Sequence, residues 1–254
     1  MLKLTHDNYF SEEAEMAYMS YSQFKAFEMC PEAAVKAEKE QKDYFTEGHF
    51  FEAVIDGEGG DFVEAHPEML TRTGELRENY RRTIDAAIAV KEQPLLRRIL
   101  SRCERQVILT GEIAGVHYKG CVDLLDPETG DTYDTKYVKD FRRVWSNVEN
   151  TKLEWYFAYG YHYQAAIYRE LVRQNLGKVG SQHIIAATKE KVPEIGFYQF
   201  TADIIDNALG IIEYMSPRYR EMKDGKRDLP RCGVCDHCKK TKLITEPVLI
   251  DEFR

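Results

Sequence analysis

The chain has 254 residues, 43% of them hydrophobic and 31% charged, so it can bury a sizeable core and is expected to form one globular domain with appendages. A formal net charge of -8 argues against a protein that simply coats nucleic acid, because such binding rests on phosphate neutralisation by Lys and Arg. The chain does not open on a basic stretch followed by an apolar core, and no run of about 18 apolar residues occurs. Secretion and membrane insertion therefore lack support, and a cytoplasmic protein is the expectation.

Tyr21, Phe24 and Phe27 recur at helical spacing behind the potential caps Ser20 and Ser22. Two helices are predicted between Ser20 and about Tyr44, meeting at Cys30-Pro31. A short helix is predicted over Gly48 to Ile55, ended by the turn Gly57 to Gly60, and a longer one over about Glu75 to Leu100. From Arg105 to Tyr137 β-branched and aromatic residues alternate, with turn signals at Thr110-Gly111 and at Asp126 to Gly130. That pattern predicts a three-stranded antiparallel meander. Beyond it a long helix is expected over Trp155 to Leu176, strands over His183 to Thr188 and Phe197 to Phe200, and a closing helix over Ala202 to Met222. Helices flanking a small mixed sheet give an α/β chain.

The meander carries the chemistry. Asp123 falls late in its second strand and Asp134-Thr135-Lys136 in its third, so hairpin pairing is expected to bring the two carboxylates together. Residues two apart in a strand share a face, which places Asp134 and Lys136 on one side and Thr135 on the other; two carboxylates and one ammonium are expected on a single sheet face. Hard oxygen ligands of this kind hold Mg²⁺ or Mn²⁺ and suit metal-assisted phosphodiester hydrolysis. A solvated hairpin with a surface ion pair is the plain alternative.

These residues resemble the PD-(D/E)XK nucleases, whose motif sets an Asp on one strand and Asp or Glu, any residue, then Lys on the next. Val122-Asp123 stands for the Pro-Asp of the name, and Asp134-Thr135-Lys136 fits the second half. Two further matches resemble the RecB-like and RecE-like branch. Upstream is Gly48-His49-Phe50-Phe51-Glu52; downstream is Gln164-Ala165-Ala166-Ile167-Tyr168, whose ends stack on one helix face. The resemblance implies a restriction-endonuclease-like core. It implies that Glu52, Asp123, Asp134 and the main-chain carbonyl of Thr135 are metal ligands, with His49 an alternative to Glu52. It also implies that Lys136 positions or deprotonates the attacking water, while Gln164 and Tyr168 orient the phosphate. A basic lining from Lys139, Arg142, Arg143, Arg169 and Arg173 would grip DNA. The branch further implies a phage-type exonuclease that resects double-stranded ends for an annealing protein or recombinase, with homo-oligomers among its relatives. A structure-specific endonuclease and a non-catalytic, metal-stapled DNA-binding protein stay open.

Six cysteines are present, and Cys232, Cys235 and Cys238 stand in a Cys-x-x-Cys-x-x-Cys run too tight for a disulfide framework. Three thiolates at this spacing suit metal ligation, with Cys30 the candidate for a fourth. The segment Ser20 to Pro31 resembles the N-terminal motif of iron-sulfur members of the branch. A 4Fe-4S cluster joining residues of about 20–45 to a tail at about 230–240 is thus implied. Tetrahedral Zn²⁺ on the same residues, or on the three tail cysteines with His237, is the alternative. Cys103 and Cys121 are expected to be apolar fillers.

Overall fold

The computed structural model describes residues 2–37, 43–146 and 149–247; residues 38–42, which fall in the second predicted N-terminal helix, lie outside them. Helix α1 (Glu12–Ala17) starts at Ser11, whose hydroxyl accepts the Ala14 N–H at 3.2 Å. Helices α2 (Tyr21–Met29) and α3 (Pro31–Lys36) meet at Cys30 as expected, with Ser20 capping α2. They are followed by α4 (Asp43–Asp56) and α5 (Gly59–Ala65).

The helix predicted over Glu75 to Leu100 is two helices, α6 (Glu78–Glu92) and α7 (Pro94–Arg102). Pro94 lacks an N–H and drives Gln93 to ψ 120°, so the break falls at the residue before the proline.

Strands β1 (Glu104–Ile113), β2 (Val116–Leu125) and β3 (Thr132–Val138) form the meander. Its first turn is at Ala114-Gly115, where both φ angles are positive, and not at Thr110-Gly111, which lies inside β1. Gly111 has no side chain because Leu171 and Gln174 pack over it. A two-stranded ribbon, β4 (Val144–Ser146) with β5 (Thr151–Leu153), follows. The helix predicted over Trp155 to Leu176 is broken at Gly160, which takes φ 76°, into α8 (Trp155–Ala158) and α9 (Tyr161–Leu176). Then come β6 (Gln182–Thr188), β7 (Ile195–Gln199), α10 (Ala202–Lys223) and α11 (Asp236–Lys240).

The sheet order is β1-β2-β3-β6-β7, antiparallel except for the parallel pair β3–β6 that α9 crosses over to make. This is the expected mixed sheet between helices. On one face α9, α10 and α2 bury Ile167, Leu171, Ile212 and Phe24 against Val116, Tyr118, Ile184 and Ala186. On the other α4, α6 and α7 bury Phe51, Ala87 and Ile99 against Tyr133, Ile185 and Ala187. Among the described residues no helix is long and apolar enough to cross a membrane.

Two local departures from regular sheet position everything that follows. First, Gln106 takes φ 49° and the β1–β2 pairing lapses opposite it, at Asp123. Across that lapse Val122 joins the α9-side cluster while Leu124 joins the α4-side cluster, although residues two apart in a regular strand share a face. Second, β2 and β3 pair only at Leu124–Tyr133 and Leu125–Thr132 and then part. The N-terminal segment enters the fork: Met19 N donates to the His117 carbonyl and Lys119 N to the Met19 carbonyl, each at 2.8 Å. The stretch Tyr9 to Met19, to which the sequence assigns no role, thus fills the β2 edge that β3 leaves.

Candidate active site

The fork opens a cavity of about 480 Å³, lined by His49, Glu52, Asp123, Lys136, Gln164 and Tyr168 among others. Each arrives by a separate route. Phe51 is fully buried and stacks on Tyr137 at 5.1 Å, fixing α4 against β3 so that its neighbour Glu52 faces the opening. Asp123 sits at the interruption of β2. Its Oδ2 accepts the Thr135 N–H at 2.8 Å and the Thr135 hydroxyl at 3.1 Å, a side chain taking the place of the missing ladder bond.

Asp134 and Lys136 share the other side of β3, with Lys136 Nζ 2.6 Å from Asp134 Oδ2. Asp123 also reaches Asp134 and Lys136 across the gap between the splayed strands, its carboxylate acting on both charges. Asp134 itself lies behind the cavity wall, 8% exposed.

Helix α9 supplies the partners of Asp134. Gln164 Nε2 donates to Asp134 Oδ1 at 2.8 Å and to the Tyr168 hydroxyl at 3.1 Å, and Tyr168 donates to the Cys121 carbonyl at 2.8 Å. This chain ties α9 to both strands of the fork. It requires Gly120: a Cβ there would stand 2.8 Å from Tyr168 Cε1 and 3.1 Å from Leu171. Gly120→Ala is therefore expected to push the Tyr168 ring off β2, costing roughly 1–3 kcal/mol as overpacking does. Chemical denaturation compared with Tyr168→Phe separates the steric cost from the lost hydroxyl.

The electrostatics call for a cation. Burial raises the Glu52 carboxyl well above its ordinary range, and the neighbouring Asp123 raises it further. Asp134 is pushed up to about 7 by burial, with Lys136 opposing and Asp123 reinforcing. Burial alone would lower the Lys136 ammonium, but Asp134 and Asp123 outweigh it and hold the group well above its usual value. Gln164 Oε1 is buried without a hydrogen bond, while Asp134 Oδ2 is answered by the Lys136 ammonium. Hard oxygen donors and crowded buried acids fit a Mg²⁺ or Mn²⁺ ion.

Sequence reasoning passed over other residues around Lys136 and the cavity. Tyr161 lies one turn before Gln164, its ring centroid 5.2 Å from Lys136 Nζ; positions 161, 164 and 168 on one helix face were the available signal. Tyr9, Lys119 and Tyr21, unlike Tyr161, line the cavity itself, and nothing local in the sequence announces them. None of Lys139, Arg142, Arg143, Arg169 and Arg173 does so. Arg169 pairs with Asp206 and Arg173 with Glu170, so these two charges are answered within the protein.

The model of the PDDEXK-like domain of unknown function (DUF3799) matches residues 20–241, a span that contains the whole constellation. The chain belongs to the PDDEXK-like family. The crystal structure of a protein named "Putative exonuclease" from Eubacterium rectale superposes on this PDDEXK-like chain with a TM-score of 0.87. The two are 28% identical over 98% of this chain and 97% of that one. No curated protein matches.

At the far end of α2, Cys30, Cys232, Cys235 and Cys238 converge, their four sulfurs all within 4.8 Å of one another. His237 stands apart, its Nε2 3.4 Å from Glu32 Oε2. Cys103 and Cys121 are partly buried free thiols, and burial raises both.

Proposed function

We propose that the protein is a Mg²⁺- or Mn²⁺-dependent deoxyribonuclease that degrades duplex DNA from an end. The observation that carries this reading is the convergence of Asp123, Asp134 and Lys136 at the fork between β2 and β3 in a PDDEXK-like chain, with Glu52 facing them from α4. The name of the Eubacterium rectale protein adds support for an exonuclease.

Glu52, Asp123, Asp134 and the Thr135 carbonyl would hold the ion, which would supply polarisation of the scissile phosphate and acidification of a water. Paired with Asp134 at 2.6 Å, the Lys136 amino group is placed to orient or deprotonate the nucleophilic water and to offset charge developing on the phosphate. Gln164 and Tyr168 act first as positioning residues, because their hydrogen bonds already run to Asp134 and to the Cys121 carbonyl. The strand left behind suits an annealing protein or recombinase, and assembly of the nuclease unit into a homo-oligomer belongs to the same reading.

The test is incubation with end-labelled linear duplex and with closed circular duplex, in Mg²⁺, Mn²⁺ or chelator. Loss of the linear DNA alone, and only with metal, is the expected result. Cutting of the circle would make the protein an endonuclease, and metal-independent or absent hydrolysis of both forms would overturn the proposal.

A further inference from the structure

The cysteine site lies outside the nuclease chemistry, and its sulfur spacing carries information about its occupant. Cys30 Sγ is 3.6 Å from Cys238 Sγ, and Cys232 Sγ is 3.9 Å from Cys238 Sγ; all four sulfurs lie within 4.8 Å of one another. A tetrahedral ion with Zn–S bonds of about 2.3 Å sets its ligand sulfurs about 3.8 Å apart. A 4Fe-4S cube places an iron behind each cysteine, which spreads the four sulfurs to roughly 6 Å. The two shortest separations fall at the first figure, and the upper bound of 4.8 Å stays closer to it than to the second.

The surroundings fit one ion as well. Backbone N–H groups point at sulfur inside the tail turns, Cys235 N to Cys232 Sγ at 3.3 Å and Cys238 N to Cys235 Sγ at 3.4 Å, so the turns are wound around the thiolates. The imidazole that offers a rival fourth ligand is engaged elsewhere: His237 and Arg231 both reach the Glu32 carboxylate, Arg231 at 2.6 Å. Arg231 also donates to the Cys238 carbonyl at 3.1 Å, and Glu32 N to the Pro230 carbonyl at 3.2 Å. This outer layer joins the tail to α3 and fixes the ligands.

We infer that Cys30, Cys232, Cys235 and Cys238 bind a single tetrahedral zinc ion that staples the α2–α3 junction to the C-terminal tail, in place of the iron-sulfur cluster the family resemblance implies. The staple bears on the fork. Cys30 ends α2, its N–H bonding the Ala26 carbonyl at 3.0 Å, and the opposite end of α2 brings Ser20 and Tyr21 to the cavity wall.

The experiment is elemental analysis of the full chain purified without oxygen from cells supplied with both iron and zinc, with X-ray absorption at the zinc edge and exchange into Co²⁺. One zinc per chain, a single sulfur shell near about 2.3 Å and the absorption of tetrahedral cobalt thiolate are expected. In Cys235→Ser the cobalt thiolate intensity falls by roughly a quarter, as one of four thiolates is lost. Should that variant fail to fold, the wild-type absorption spectrum alone decides. Iron with inorganic sulfide and broad visible absorption, one iron without sulfide, or no bound metal would each overturn the inference. None of these readouts depends on DNA cleavage, so the site and the nuclease assignment stand or fall separately.

Discussion

Lys136→Ala is expected to lower DNA cleavage by roughly 10²–10³-fold, the scale seen when a fixed charge or donor aimed at a developing oxyanion is removed. The ammonium pairs with Asp134 at 2.6 Å, and its side chain is 17% exposed, so water replaces it poorly. Stranding a partner of a buried ion pair ordinarily costs about 3–5 kcal/mol. Here the cost is smaller, because burial already brings Asp134 up to about 7 and the acid can take a proton once Lys136 is gone. Thermal melting read on the same sample should therefore fall by far less than activity. Lys136→Met keeps the apolar stem and serves where alanine leaves a hole. A variant that melts as wild type and still cleaves would remove Lys136 from the mechanism.

Gly180→Ala is expected to be the most damaging small substitution for folding. A Cβ at this position would stand 2.1 Å from the Gly130 carbonyl carbon, 2.2 Å from its oxygen and 2.3 Å from Asp131 N. These are backbone atoms that no rotamer change can move. The chain crosses itself there, just before Thr132 N donates to the Ser181 carbonyl and β3 pairs with β6. A penalty at the upper end of overpacking, about 3 kcal/mol, corresponds to a fall of roughly 10 °C in Tm for a domain of this size. Calorimetry would check it, and a shift within a degree or two would show that the crossing opens easily. Because β3 carries Asp134 and Lys136, whatever shift relieves the clash is passed directly to the fork.

Much of this architecture was written in local pattern. Alternation of β-branched and aromatic residues marked β1 to β3, and a serine ahead of Tyr21, Phe24 and Phe27 marked α2. Pro94 and Gly160 were equally visible as breakers. Apolar periodicity runs on through both positions, and the packing of α6 beside α7 and of α8 beside α9 keeps the faces continuous, so each pair looked like one helix. The Thr110-Gly111 signal misled for a related reason: a glycine needed for close approach of α9 looks the same in sequence as one needed for a turn.

The candidate site divides along the same line. The residue types and spacing of Asp123, Asp134 and Lys136, the Gln164 to Tyr168 repeat on one helix face, and three cysteines that lack a fourth ligand could all be read from the chain, because each depends on neighbours a few residues away. Tertiary structure alone decided that β2 and β3 part at Asp123, that Gln106 interrupts the opposite strand, and that the segment ending at Met19 fills the gap. It also set the separation of the four sulfurs, on which the choice between one ion and a cube rests. These are distances between segments up to some 200 residues apart, fixed by how helices and sheet pack, and short-range periodicity has no means of encoding them.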